Sequence, residues 1–174
     1  MNRHATRAAV LGAALAVTLP AAAHVTLERG EAPADSYYKA VFRVPHGCDG
    51  SPTLRVRVRI PDGVVGVKVQ PKPGWTIETV MRRLDTPYDA GHGRMSSEIV
   101  GEVAWSGGRL LDEHYDEFAL RAKLPNRPGA LIHFPVVQEC EKGVHRWIEI
   151  PSAGQRAHDL KEPAPALLLA PPAH

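Results

Sequence analysis

The chain is 174 residues long and carries 21 basic and 19 acidic side chains, nine His, 16 Pro, 15 Gly and two Cys. That length fits one domain, or one domain with a tail, and a composition 44% apolar and 23% charged excludes a disordered chain. The net charge of +2 excludes the clustered basic face that nucleic-acid binding requires.

Residues 1–23 read as a cleaved secretory signal. Arg3 and Arg7 open it, an apolar stretch runs from Ala8 to Leu19, and Ala21 and Ala23 supply the small residues before the cut. The apolar stretch is shorter than the roughly 20 residues a membrane-spanning helix needs. Removal of Arg3 and Arg7 with the leader leaves bases and acids balanced, so the mature domain has no long-range pull on charged partners.

Strand signals follow in order. They cover Tyr37 to Val44, Thr53 to Ile60, Val64 to Gln70, Trp75 to Val80, Glu98 to Trp105, Glu117 to Leu124, Ala130 to Val137 and Val144 to Ile150. The clearest is Thr53 to Ile60, where Leu54, Val56, Val58 and Ile60 alternate with Arg55, Arg57 and Arg59. That period predicts one buried and one solvated face. Turn signals separate the runs, among them Pro61-Asp62-Gly63, Lys72-Pro73-Gly74 and Asn126-Arg127-Pro128-Gly129. Eight or nine strands at this spacing predict an all-β antiparallel β-sandwich, immunoglobulin-like in its layering. Arg83 to Met95 is polar, contains Pro87, Gly91 and Gly93, and reads as a long loop. The domain is expected to end near Glu162, with 163–174 a flexible Pro/Ala-rich tail.

Export places Cys48 and Cys140 in an oxidising compartment, where a structural disulfide is the default and closing so long a loop contributes about 4 to 5 kcal/mol. The sequence holds no nucleophile elbow, Walker motif, zinc-protease motif or Gly-rich dinucleotide loop. Asp112, Glu113, Asp116 and Glu117 lack the spacing of a calcium loop and read as solvated surface. The processing step itself creates a chelator. Cutting after Ala23 makes His24 the first residue, offering a free amine and the ring Nδ1 to one metal ion. Reference pKa values of about 8 and 6.5 let both act as ligands near neutrality, and two nitrogens in one plane suit Cu(II).

Four stretches carry a family resemblance. They are His24-Val25-Thr26-Leu27, Tyr37 through Cys48 (YYKAVFRVPHGC), Pro71-Lys72-Pro73-Gly74-Trp75, and Val137 through Trp147 (VQECEKGVHRW). Together they resemble the YcnI-like copper-binding domain of exported bacterial proteins, in its proteobacterial, Cys-containing form, over nearly all of 24–162. The resemblance implies a cupredoxin-like sandwich that handles copper in the periplasm beside copper-trafficking proteins of the cell envelope. It also implies that His24 forms a single-histidine brace around Cu(II), with Trp147 close to the metal. Some relatives have an acid where this chain reads Tyr37-Tyr38-Lys39, so further ligands stay open.

Strand geometry orders the candidates. Glu28 shares a face with His24 but lies roughly 13 Å along an extended strand, too far for one coordination sphere. His145 would share a face with Trp147 and Glu149, and a Cys48–Cys140 bridge would bring His46 near Glu139 and Glu141. His145 and His46 therefore rank first and Glu141 below them. Trp75 and Trp105 are expected to fill core. The expected function is a copper chaperone or store without enzymatic activity and without a membrane span in its mature form. The alternatives are a copper oxidative enzyme, which needs a second His in the brace, and a metal-free interaction module.

Overall fold

The computed structural model describes residues 24–172, so the signal reading of 1–23 falls outside the described residues. Among those residues, twelve strands form three sheets. The first sheet runs β1-β3-β8-β5, with β1 Thr26–Leu27, β3 Tyr37–Val44, β8 Asp116–Lys123 and β5 Val65–Val69. The second runs β11-β10-β4-β7-β6, with β11 Val144–Trp147, β10 Val136–Cys140, β4 Thr53–Arg59, β7 Met95–Leu110 and β6 Thr76–Asp89. A smaller sheet, β2-β12-β9, joins β2 Glu31–Pro33, β12 Ala166–Ala170 and β9 Leu131–His133.

The two large sheets face each other across the core expected of a sandwich. Phe118 of β8 meets Trp105 of β7 with ring centroids 5.5 Å apart and Trp75 at 4.9 Å. Phe42 of β3 meets Phe134 at 5.7 Å. On β4, Val56 and Val58 are fully buried while the arginines lie outward. Arg57 bridges Glu139 and Glu102, and Arg55 pairs with Glu78, so these two arginines are neutralised along their own sheet.

Three expectations need correction. The run from Ala130 to Val137 is two strands, because Pro135 has no N–H to continue a ladder and the chain changes sheet there. The segment from Arg83 to Met95 is mostly hairpin rather than loop. β6 and β7 pair out to Asp89↔Met95 with a break between Arg83 and Tyr88, and a short turn with positive φ at Gly91, His92 and Gly93 joins them. Its polarity reflects a ribbon that projects from the core with most of its residues exposed or half-buried. The tail from 163 is also ordered in part: β12 pairs antiparallel with β9 and parallel with β2, and Leu167 and Leu169 are fully buried. Flanking prolines and an unbroken Leu-Leu-Leu hide the inward positions, with Leu168 facing out between them.

Cys48 and Cys140 form the expected disulfide, with Cα atoms 6.0 Å apart. It ties the loop after β3 to the end of β10.

Candidate metal-binding site around Trp147

β11 is an edge strand, and its side chains alternate. Val144 and Arg146 are exposed, His145 is half-buried and Trp147 is buried. His145 and Trp147 thus share the inner face, and their rings stack with centroids 4.9 Å apart and planes inclined at 29°. Behind them stands Gln138 on β10, directly opposite His145 in the ladder and fully buried. Its Oε1 accepts the Trp147 indole N–H at 3.1 Å, and its Nε2 donates to the His46 carbonyl and to Thr53 Oγ1, both at 2.7 Å. One amide therefore fixes the indole and the His46 backbone together. Every polar atom of Gln138 has a partner, as burial demands.

His24 arrives from the other sheet. The pairing of Thr26 with Arg43 and Leu27 with Phe42 directs the residues before β1 toward the segment after β3, where His46 lies. The His24 ring sits 5.4 Å from the Trp147 ring, inclined at 56°. The His46 ring stands edge-on to His145 at 6.2 Å. Its Nδ1 lies 2.6 Å from the Gly47 carbonyl oxygen, which only accepts, so Nδ1 carries the hydrogen of that contact. Two histidines from separate segments thus meet one indole, and a third stands against the second of them.

The C-terminal side closes the group. Glu162 Oε1 accepts from His145 Nδ1 at 2.8 Å, and its Oε2 accepts the Arg146 amide at 3.0 Å. Burial alone would push this carboxyl up, but the hydrogen bonds from His145 and Arg146 outweigh it and hold it below the usual glutamate range. The Glu162 amide in turn donates to the Glu149 carboxylate at 2.7 Å, and the Glu149 and Ala164 amides complete a ladder between the two segments.

The remaining sequence candidates lie elsewhere. Glu141 pairs with Arg109 at 3.1 Å and lines a cavity beside the disulfide. Glu139 points outward to Arg57, because it alternates with the inward-facing Gln138. Glu28 is engaged by Arg43. Among the described residues, no three His, Cys, Asp or Glu side chains converge closely enough to hold a metal ion by themselves. The sequence reading missed Gln138 and Glu162. The signal for Gln138 was a lone amide at an inward strand position; nothing local marked Glu162, whose partner is 17 residues away.

Comparison with known proteins adds the family. Residues 24–169 match the model described as "Domain of unknown function (DUF1775)", a span that begins at His24 and runs into β12. The chain belongs to the DUF1775 family. This DUF1775 domain is 27% identical over 119 residues to the copper-binding protein CutI of Bacillus subtilis (strain 168), which covers 68% of this chain and 52% of that protein. It thus spans about half the length of that relative. Among solved structures, an uncharacterized protein from Nocardia farcinica with an immunoglobulin-like fold superposes on the DUF1775 domain with a TM-score of 0.63 at 27% identity. The match covers 84% of this chain and 98% of that one.

The donor chemistry of the cluster fits copper as cargo. Imidazoles are borderline donors suited to Cu(II), and the Nδ1 atoms of His46 and His145 are each occupied by an oxygen acceptor. In both rings the hydrogen of that contact sits on Nδ1.

Proposed function

We propose that the mature protein, beginning at His24, is an exported copper carrier or store of the bacterial cell envelope that binds Cu(II) through a brace formed by the His24 amine and ring nitrogen. The observation that carries this reading is the placement of His24 and His145 against the same buried indole, Trp147. The similarity to CutI, described as copper-binding, points the same way. Before processing, the His24 nitrogen is an amide without a basic lone pair; hydrolysis after Ala23 turns it into an amine that closes a chelate ring with Nδ1. The buried indole shields one side of the group from water and places an apolar wall beside the cationic cargo. His145 and His46 stand nearest to complete the donor set, and Glu141 is held away by Arg109. The recipients in this reading are copper-trafficking proteins of the envelope.

The test is a Cu(II) titration of protein purified from the periplasm, with its N-terminus verified by mass spectrometry and the site followed by electron paramagnetic resonance. One tight equivalent with nitrogen coupling is expected. It should be lost in His24→Ala and strongly weakened by a Gly-Ser extension, which converts the amine back to an amide. Equal affinity in the extended protein would overturn the brace. A second histidine beside Trp147 is also the donor set an oxidative copper enzyme requires, so the copper-loaded sample is assayed for peroxide-driven turnover. Turnover would move the reading from carrier to enzyme.

A further inference from the structure

Glu162 reaches from the segment before β12 to the edge strand β11. Its two carboxylate oxygens reach the side chain of His145 and the main chain of Arg146, two consecutive residues of β11, at 2.8 and 3.0 Å. Its own amide and carbonyl are tied to Glu149, which fixes the backbone position from which the carboxylate reaches β11. The His145 ring is therefore held twice: its plane by stacking on Trp147, its rotation within that plane by Glu162.

We infer that Glu162 is a positioning residue that fixes the tautomer of His145 and makes it the additional nitrogen donor of the copper site. The inference rests on the copper reading for its consequence, though not for its chemistry. A carboxylate has no hydrogen to donate, so the hydrogen in the 2.8 Å contact sits on His145 Nδ1. The lone pair then lies on Nε2, across the ring from Glu162. A histidine whose far nitrogen is anchored by a carboxylate enters a metal site with orientation and protonation already set. Glu162 lies in the segment leading into β12, so the end of the chain takes part in the site.

Glu162→Gln tests this with almost no change in size. Glutamine has one accepting oxygen and one donating nitrogen where the carboxylate had two acceptors. The Arg146 amide can only donate, so the oxygen turns to it and the amide N–H turns to His145 Nδ1. The tautomer is then expected to invert, placing the hydrogen on Nε2 and blocking the donor. The primary readout is the nitrogen-15 spectrum of the His145 imidazole in metal-free protein beginning at His24, recorded above neutral pH. Wild type should show hydrogen on Nδ1, and Glu162→Gln should show it on Nε2. The same variant should lose roughly 10- to 100-fold in Cu(II) affinity. His145→Ala should lose as much, with no further loss in the double variant. An unchanged His145 tautomer in Glu162→Gln would overturn the inference. So would an inverted tautomer with unchanged copper affinity in a protein whose binding still depends on His24. Undiminished binding by His24→Ala would instead strike at the brace itself while leaving the tautomer result standing. Glu162→Ala is the second variant should the glutamine fail to fold: a mixed tautomer and the same weakening support the role, and an unaltered spectrum sinks it.

Discussion

Gln138 carries more of the site than any residue that could touch a metal. It is fully buried, yet it holds the Trp147 indole, the His46 carbonyl and the Thr53 hydroxyl with one amide. Gln138→Leu keeps the volume but removes the acceptor of the Trp147 indole N–H and the amide that reaches the His46 carbonyl and Thr53. Of its side-chain contacts among the described residues, the Thr53 hydroxyl then keeps only the Cys140 sulfur at 3.7 Å. At roughly 1 to 3 kcal/mol for each unsatisfied buried group, the variant should lose about 2 to 4 kcal/mol after partial relaxation. Urea denaturation followed by tryptophan fluorescence measures this, and an unchanged midpoint would show that the amide is not a fulcrum. One neighbour relation around the indole was legible beforehand. The two-residue spacing of His145 and Trp147 on a strand predicts that they share a face, and their rings stack there. Glu162 was not legible, because its role depends on a contact made by a returning chain. Glu141 was misjudged for a related reason: sequence places it next to Cys140, but a guanidinium from another strand draws it away.

At the level of strands, alternation was a sound guide wherever one face is buried and the other solvated. Tyr37 to Val44 and Thr53 to Arg59 keep the expected bounds almost to the residue. It failed where that contrast is missing. The outer part of β6, from Arg83 to Asp89, is exposed or half-buried throughout, so it reads as loop. β12 was obscured by composition, since Pro and Ala surround its leucines. Its buried leucines make a firm prediction. Leu167→Ala should cost about 2 to 5 kcal/mol, as expected for a large-to-small change in a packed interior, whereas Leu168→Ala at the neighbouring exposed position should cost far less. Thermal melts of the two variants decide between an integral strand and an adhering tail, because a tail would show no difference.

For the whole molecule, the disulfide is the one covalent link between the two large sheets' connecting segments, spanning 92 residues of sequence. It sits beside the site rather than in it: Cys48 follows His46 by two residues and Cys140 follows Gln138 by two. Replacing both cysteines by serine should cost about 2 to 5 kcal/mol of stability. The double variant's melting temperature should match that of reduced wild type, and a wild-type melt insensitive to reductant would contradict this. The pairing of β12 with β2 has a temporal consequence. The first elements of the domain close against the last, with Leu168 opposite Glu31 and Ala170 opposite Pro33. A growing polypeptide presents His24 long before Glu162 exists, so the early portion must wait, unfinished, for its partner to be synthesised. Only a chain synthesised past Glu162 can give His145 its carboxylate anchor, so that side of the group is the last to be set.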